Sequence, residues 1–273
     1  MSAGSHMTSI NGFAPALVRQ ALADARGTGR ATPVLGIAGL QGCGKSTLAA
    51  QVVAAAEACG LRAAALSLDD FYLTADARLR LAREVHPLLR TRGPPGTHDL
   101  PLALDTLDAI AHGRPVALPR FDKLADDRLP ASRWTRIERP LDLLVFEGWC
   151  LGVPAEDEAA LEAPLNALER DEDADGRWRR HCNATLARDY PPLWAQVHRL
   201  WFLQGPGFGV VPEWRWQQEQ ALQAAQPGRA GMTREQVARF VQFYERISRQ
   251  ALRTLPAIAD RTVVLDALRR TSG

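Results

Sequence analysis

Residues 33 to 47 read PVLGIAGLQGCGKST, a short apolar run that breaks into a glycine-rich turn. The turn Gly39-Leu40-Gln41-Gly42-Cys43-Gly44-Lys45-Ser46 fits the pattern G-x-x-x-x-G-K-[ST] at every fixed position. The apolar run before it and the Ala/Leu-rich stretch 47–58 after it predict a strand, a loop and a helix. This context favours a phosphate-binding loop over a glycine-rich surface turn.

In such a loop, backbone N–H groups surround the β-phosphate of a nucleoside triphosphate, and the following helix directs its positive end at the same anion. We expect Lys45 to neutralise charge on the β- and γ-phosphates and Ser46 to ligate Mg²⁺. The predicted nucleotide-binding residues are Gly39, Gln41, Gly42, Cys43, Gly44, Lys45, Ser46 and Thr47.

Lysine is rare in this chain. Only two of the 33 basic residues are lysines, Lys45 and Lys123, so arginine serves almost everywhere that a surface cation is needed. A lysine that remains is expected to be there for its compact ammonium group, which a planar guanidinium cannot replace. Lys45 fits that expectation, and Lys123 becomes a candidate site residue, with chance survival as the alternative.

Composition bounds the function classes. The chain has 273 residues and 46% hydrophobic content, enough for the core of one large domain. The net charge is only +2, and no basic block interleaved with aromatic residues is present, which argues against nucleic-acid binding. There is no apolar run of about 18 residues and no signal peptide, so we expect a soluble, cytoplasmic protein without a membrane partner. The sequence does not predict the oligomeric state.

Residues 1–7, MSAGSHM, resemble the remnant of an expression tag, so the predicted single domain covers 8–273. The four cysteines form no C-x-x-C pair and no His/Cys cluster with zinc spacing, and we expect reduced thiols.

Apolar runs alternate with helical patterns along the chain. Five buried strands are predicted at 33–38, 62–68, 141–146, 198–203 and 262–265, and helices at 8–26, 45–59, 100–112 and 233–255. With the glycine-rich loop, this alternation predicts an α/β fold of the P-loop nucleoside-triphosphate hydrolase type, a parallel sheet flanked by helices. Residues 114–140 are expected to carry short strands, and 153–192 a helical insertion with helices near 158–170 and 176–188.

Polar residues follow the predicted strands at the points where those strands end. Residues 39–45 follow the first strand, Asp69-Asp70-Phe71-Tyr72 the second, Glu147 the third and Gly205-Pro206-Gly207 the fourth. The carboxyl ends of parallel strands line one crevice of an open sheet. The sequence therefore predicts one site built from four separate segments.

Three carboxylates of this crevice are candidates for chemistry. Asp69 is the predicted base that accepts the proton of an acceptor hydroxyl, although an aspartate at a strand end also serves as a helix cap. For Asp70, capping or Mg²⁺ hydration is at least as good an interpretation as catalysis. Glu147 is the predicted carboxylate that holds Mg²⁺ or its water, because a lone glutamate after a buried strand is costly unless paired.

The remaining candidates contact the acceptor or close the site. Lys123 and Arg128 are predicted to bind an anionic acceptor, and Arg215 to supply a transition-state cation from a mobile lid that follows Gly205–Gly209. The predicted substrate-binding residues are Asp70, Tyr72, His98, Asp99, Lys123 and Arg128. For Asp99 helix capping, and for His98 a satisfied loop position, stay open as alternatives.

An ordered set of motifs resembles a known family. The set is GxxGxGKST, SLDDFYL, PGTHDL, FDK with DDR, LLVFEGW, and EWRWQQE followed by GMT. Together these motifs resemble the plant-type D-glycerate 3-kinases and their bacterial P-loop kinase relatives, within the wider group of phosphoribulokinase, uridine kinase and pantothenate kinase. The resemblance covers about 33 to 255, and by it Asp69 matches the catalytic aspartate of the group.

The resemblance implies an ATP- and Mg²⁺-dependent kinase that acts on a small anionic hydroxy acid, with D-glycerate as the favoured acceptor and 3-phosphoglycerate as the product. The same fold acting on pantothenate, a nucleoside or a sugar phosphate is the alternative. A regulatory P-loop NTPase is disfavoured because no N-K-x-D segment surrounds any of the three asparagines, Asn11, Asn166 and Asn183, and no metal-relay Cys/His cluster is present.

Overall fold

A computed structural model describes residues 12–225, 228 and 231–271. Residues 1–7, the predicted tag remnant, lie outside the described residues. The helices are α1 (Pro15–Arg26), α2 (Lys45–Ala58), α3 (Ala75–Glu84), α4 (Leu100–Ala111), α5 (Ala167–Glu172), α6 (Arg177–Asp189), α7 (Pro191–Trp194), α8 (Val211–Ala225) and α9 (Arg234–Ile258). The strands are β1 (Val34–Gly39), β2 (Ala63–Ser67), β3 (Val116–Leu118), β4 (Phe121–Asp122), β5 (Asp127–Arg128), β6 (Thr135–Ile137), β7 (Leu143–Gly148), β8 (Arg199–Gln204) and β9 (Arg261–Val264). Short 3-10 helices lie at Leu68–Phe71, Pro87–Arg90, Ala131–Arg133, Glu158–Leu161 and Phe208–Val210.

The central sheet has five strands in the order β2-β7-β1-β8-β9, and every neighbouring pair in it is parallel. Chain order and spatial order differ, so β7 lies between β1 and β2. The ends of β1, β2 and β7 therefore meet at one edge, with Glu147 opposite both Ser67 and Ile37. Two antiparallel pairs, β3 with β6 and β4 with β5, lie outside this sheet.

The sheet separates two hydrophobic clusters because side chains of a strand alternate between its faces. In β7, Leu144 and Phe146 belong to the cluster that also contains residues of α4, α6 and α9. Leu143 and Val145 belong to the other cluster, with residues of α1 and α2. All four side chains are fully buried, and each contributes roughly 1.5–3 kcal/mol through burial. A strand buried on both faces is therefore apolar throughout, up to the glutamate at its end.

The five strands predicted for the sheet are confirmed to within two residues at either end, and 114–140 carries the expected short strands β3 to β6. The single helix predicted near 158–170 is wrong. Pro164 interrupts it, and Asn166 starts the separate helix α5 by accepting a hydrogen bond from the Glu169 amide at 3.0 Å. The helix predicted near 176–188 is α6.

In the part of the chain that the structure describes, no helix is both long and apolar enough to cross a bilayer. Each of the four cysteines, Cys43, Cys59, Cys150 and Cys182, is a free thiol.

Candidate active site

The glycine-rich loop joins the end of β1 to the start of α2. Gly42 and Gly44 have φ of +78° and +102°, a region that residues with a Cβ rarely adopt. A Cβ on Gly42 would also lie 2.8 Å from the Cβ of Trp214, on α8. Two glycines are therefore needed for backbone geometry, and one of them also for the close approach of α8.

Lys45 and Ser46 are the first residues of α2, where the helix N-terminus favours anions. The Lys45 ammonium is buried and donates to the Leu40 carbonyl at 3.0 Å. The Ser46 hydroxyl donates to Glu147 Oε1 at 2.8 Å. A hydroxyl and a carboxylate in contact are the hard oxygen donors that Mg²⁺ prefers, so these two residues fit the ion.

The other predicted nucleotide-binding residues differ in their access to the site. Gln41 and Gly42 line the cavity with Lys45 and Ser46. Cys43 is fully buried, and burial raises the pKa of its thiol although Lys45 opposes that rise. Gly39, Cys43, Gly44 and Thr47 are not among the described residues that line the cavity.

Asp69 lies on the 3-10 helix that follows β2, next to the Glu147 strand end. Its Oδ2 accepts a hydrogen bond from Lys123 Nζ at 2.6 Å, and its Oδ1 accepts one from the Tyr72 hydroxyl at 2.7 Å. Burial alone raises the pKa of Asp69, but Lys123, Tyr72 and Lys45 more than offset this and hold the pKa well below its usual range. Asp69 is therefore a carboxylate throughout the neutral pH range.

Asp70 has a structural position, and its contact with substrate stays a prediction. Its carboxylate accepts from Arg120 Nη1 at 2.8 Å and from the Phe121 amide at 3.2 Å, and it completes a capping box with Ser67. Burial raises the pKa of Asp70 against the opposing charge of Arg120. Asp70 does not line the cavity in the described part of the chain, because its side chain is directed to the strand β4 that it anchors.

His98 also supports the site rather than lining it. Its ring stacks on Tyr72 with 4.7 Å between centroids, and its Nδ1 lies 2.7 Å from the Tyr190 hydroxyl. Burial lowers the pKa of His98 to about 4, so the ring is neutral at neutral pH. His98 thus fixes Tyr72, which in turn holds Asp69.

Asp99 and Arg128 are paired with each other, and their contact with the acceptor stays a prediction. Arg128 Nη2 donates to Asp99 Oδ2 at 3.0 Å and to the Tyr72 carbonyl at 2.8 Å. Asp99 also caps α4 by accepting from the Leu102 amide at 3.2 Å. Among the described residues neither one lines the cavity, because their polar groups are taken up in joining β5 to the segment after Phe71.

A cavity of about 1020 Å³ opens at the carboxyl edge of the sheet. It is lined by the loop residues Gln41, Gly42, Lys45 and Ser46, by Asp69, Tyr72, Lys123 and Glu147, and by Ala75, Arg78, Leu79, Arg90, Thr91, Arg92, Leu124, Asp126, Trp149, Arg215, Gln218, Glu219, Ala221, Leu222, Gly231, Met232, Phe240 and Tyr244. One cavity thus brings together the predicted phosphate loop, the predicted base, the predicted metal carboxylate and Arg215.

Arg215 lies on the second turn of α8 and is 11% exposed. It donates to Glu219 Oε2 at 2.8 Å, and its guanidinium carbon is 5.8 Å from the ring centre of Phe240. The partly desolvated cation lies at the cavity wall, and its role in the transition state stays a prediction.

The sequence analysis did not predict several of the residues that line the cavity. Arg92 lies in the loop that precedes the GTHDL motif, so its neighbourhood carried a signal. Trp149 belongs to the FEGW motif and packs edge-on against Tyr244 at 4.8 Å. Tyr244 and Phe240 come from α9, where a helical apolar pattern gave no sign of a site.

One cluster of possible metal ligands lies away from this cavity. His86, Asp173 and Asp175 place ligand atoms within 4.8 Å of one another. The Asp173 carboxylate already accepts from the Trp178 amide at 2.7 Å and from Arg179 Nη1 at 3.0 Å. The Arg179 charge compensates that carboxylate, so the cluster is explained by protein contacts.

Comparison with known proteins identifies the family. No family model matches the chain. Over 225 residues the chain is 34% identical to the chloroplastic D-glycerate 3-kinase of Arabidopsis thaliana, a match covering 77% of this chain and 46% of that protein. Over 222 residues it is 34% identical to the uncharacterized kinase mug58 of Schizosaccharomyces pombe, covering 77% of this chain and 78% of that protein. The chain belongs to the D-glycerate 3-kinase family of P-loop kinases.

A solved structure extends the likeness to the whole fold. The D-glycerate 3-kinase of Cryptococcus neoformans var. grubii matches with a TM-score of 0.75 and 29% identity, covering 94% of this chain and 96% of that one. The chain spans less than half the length of its Arabidopsis relative, since the match covers 46% of that protein. The predicted family and the predicted α/β P-loop kinase fold are confirmed.

Proposed function

We propose that this protein transfers the γ-phosphoryl group of ATP to a hydroxyl of a small hydroxy acid, D-glycerate, to give 3-phosphoglycerate. The observation that carries the proposal is the position of Asp69. It shares one cavity with Lys45 and Ser46 and follows the strand next to the one that ends in Glu147. The names of the Arabidopsis and Cryptococcus relatives support D-glycerate as the acceptor.

The nucleotide side of the site is the loop and the start of α2. Backbone N–H groups of the loop and the α2 N-terminus bind the phosphates, and Lys45 exchanges its contact with the Leu40 carbonyl for phosphate oxygens. Ser46 and Glu147 would hold Mg²⁺, which neutralises developing charge on the phosphoryl oxygens when bound.

The acceptor hydroxyl lies at Asp69 in this proposal. Its proton passes to the carboxylate as the oxygen attacks phosphorus, and Tyr72 and Lys123 hold that carboxylate in place. Lys123 stays our candidate for a further contact with the acceptor, because it lines the cavity beside Asp69. Arg215 is the proposed cation for charge on the transferred group.

We propose the cytoplasm as the location. Reduced, unpaired cysteines support a reducing compartment. The single domain over 8–273 with a helical insertion at 153–192, and a lid formed by α8, also stay proposals.

An assay of ADP release over a panel of acceptors tests the function. The panel contains D-glycerate, L-glycerate, pantothenate, uridine and ribulose 5-phosphate, and each rate is compared with the rate without acceptor. We expect D-glycerate to give the largest increase. A larger increase with another acceptor reassigns the substrate within the fold, and equal rates with and without every acceptor contradict the kinase function.

A further inference from the structure

Among the described residues, six basic side chains line the cavity, and they differ in how many of their donors already bond to protein groups. They are Lys45, Arg78, Arg90, Arg92, Lys123 and Arg215. Arg78 is 1% exposed and donates to the Leu73 carbonyl at 3.2 Å, to the Arg90 carbonyl at 3.0 Å and to both the side chain and the backbone of Asp126. Its donors are used in holding the cavity wall together.

Arg92 and Arg215 show the opposite pattern. Within the described ranges, Arg92 donates a side-chain hydrogen bond only to Asp126, and Arg215 only to Glu219. A guanidinium carries five N–H donors, so most donors of both groups lack a described protein partner. Both guanidinium groups are half-buried at the cavity wall, so these donors are available to an anion that enters the cavity.

The same aromatic ring fixes both guanidinium groups. The Arg92 guanidinium carbon lies 5.9 Å from the Phe240 ring centre and 5.6 Å from that of Phe121, and the Arg215 carbon lies 5.8 Å from Phe240. The two arginine side chains are only 14% and 11% exposed. Rigid, poorly hydrated cations attract an anion more strongly than solvated ones do.

The two cations belong to different sides of the reaction. Arg215 lies on α8, whose Trp214 packs against the phosphate loop at Gly42. Arg92 lies on the side of Tyr72, which holds Asp69: its guanidinium carbon is 5.6 Å from the Phe121 ring centre, and Phe121 packs edge-on against Tyr72 at 5.2 Å. The Tyr244 hydroxyl also donates to the Arg92 carbonyl at 3.0 Å. Burial raises the pKa of both Tyr72 and Tyr244, and the Arg92 charge opposes that rise in each.

We propose that Arg92 binds the carboxylate of the acceptor through two N–H groups of its planar guanidinium. This contact makes the site select a hydroxy acid over an uncharged polyol. This inference rests on the proposed function and names the group that sets its substrate class. Lys123 is paired with Asp69, Arg128 with Asp99 and Arg92 with Asp126, but among the described residues Arg92 lines the cavity and donates only one side-chain hydrogen bond, so it keeps more donors for the acceptor. A bidentate guanidinium–carboxylate pair also orients the hydroxyl toward Asp69.

The test compares the parent with Arg92→Met and Arg92→Lys. D-glycerate and glycerol, which lacks the carboxylate, are the acceptors, and D-glycerate binding is titrated directly in the presence of a non-hydrolysable ATP analogue. We expect Arg92→Met to raise KM and Kd for D-glycerate at least about tenfold, equal to about 1.4 kcal/mol, while KM for ATP changes less than about threefold. The preference for D-glycerate over glycerol should fall by the same factor.

Arg136→Met is the matched control, since Arg136 is exposed on β6 and does not line the cavity. If Arg92→Met does not fold, Arg92→Lys carries the test, because it keeps the charge and loses the fork; a rise of at least about threefold in KM for D-glycerate is then expected. D-glycerate constants equal to the parent's, or an equal rise in the KM for ATP, overturn the inference and leave the proposed function intact. A parent that does not phosphorylate D-glycerate overturns both.

Discussion

Adjacent aspartates have different tasks in this protein because a 3-10 helix separates their side chains. With three residues per turn, Asp69 and Asp70 point about 120° apart. Asp69 faces the cavity and is held by Lys123 and Tyr72, whereas Asp70 caps its own helix and anchors Arg120. The proposed base and the residue that anchors β4 are therefore neighbours in sequence, and their carboxylates have different hydrogen-bond partners in the described chain.

Asp69→Asn keeps the shape of the side chain and removes the proton acceptor. We expect kcat to fall by a factor on the order of 10² to 10⁴, with little change in the KM for ATP. Steady-state kinetics with D-glycerate measure both constants. Asp70→Asn is the matched control and should lower kcat less, so a greater loss in that variant would exchange the roles assigned to the two residues.

Lys123→Met tests how Asp69 is kept ionised. Burial raises the pKa of Asp69 and the Lys123 charge lowers it, so removing Lys123 must raise that pKa. A higher pKa means that Asp69 is protonated at a higher pH, and the acidic limb of the pH profile of kcat/KM should move upward by about one unit or more. Lys123→Arg keeps the charge and should leave the limb near its parental position. An unmoved or lowered limb in Lys123→Met would show that Lys123 does not control the base.

At the scale of elements, α8 and the segment after β9 together brace the phosphate loop. The Arg269 Nε donates to the Gly42 carbonyl at 2.6 Å, and its guanidinium carbon lies 5.0 Å from the Trp214 ring centre. The Trp214 indole donates back to the Ala267 carbonyl at 2.9 Å. The N–H groups of a phosphate loop must face the anion, so its carbonyl groups point away from it. The hydrogen bond from Arg269 to the Gly42 carbonyl helps to hold the loop in that orientation.

Arg269→Met should therefore weaken nucleotide binding without affecting the acceptor. A hydrogen bond from a charged donor contributes about 1.5–3 kcal/mol. Without it the loop is held less firmly, and ordering the loop on nucleotide binding costs part of that free energy. We expect the KM for ATP to rise about threefold or more, equal to about 0.6 kcal/mol, while the KM for D-glycerate stays constant. Arg270→Met, next to it but 73% exposed, is the control. Identical KM values for ATP in both variants would show that Arg269 does not brace the phosphate loop.

Sequence periodicity was sufficient for the sheet because β1, β7 and β8 are buried on both faces and are apolar almost throughout. The phosphate loop, Asp69 and Glu147 followed from their positions at strand ends. The partners of Asp99 and Arg128 could not be predicted, because they meet only after β5 folds against the segment that follows Phe71. Arg92 lies beside a motif that the sequence singled out, but its contact with Phe240, which lies far away in the sequence, could not be predicted.

At the scale of the whole molecule, one buried histidine links stability to pH. His98 is 5% exposed, and burial lowers its pKa from 6.5 to about 4. Below pH 6.5 the unfolded chain binds a proton at His98, whereas the folded chain does not bind it until the pH approaches 4. The contribution of neutral His98 to the free energy of unfolding is therefore fully present above pH 6.5. It is lost progressively as the pH falls toward 4, by up to about 3 kcal/mol.

Denaturant unfolding of the parent and of His98→Phe, measured between pH 7 and 5, checks this linkage. Phe keeps the stack on Tyr72 and cannot titrate, although it removes the contact of the ring with the Tyr190 hydroxyl at every pH; that hydroxyl keeps the hydrogen bond from the Gly96 amide. We expect the variant to be less stable than the parent at pH 7 and the difference to shrink at pH 5. A difference independent of pH would mean that His98 is not the titrating group.

The most direct test of the account is the product formed from ATP and D-glycerate. The parent is incubated with both, and the products are identified by phosphorus NMR beside Lys45→Ala, whose folding is checked by thermal unfolding. We predict one 3-phosphoglycerate for each ADP in the parent and no product from a folded Lys45→Ala. ADP that forms at the same rate without D-glycerate, or equal turnover in the two proteins, would contradict the assignment of this cavity to phosphoryl transfer.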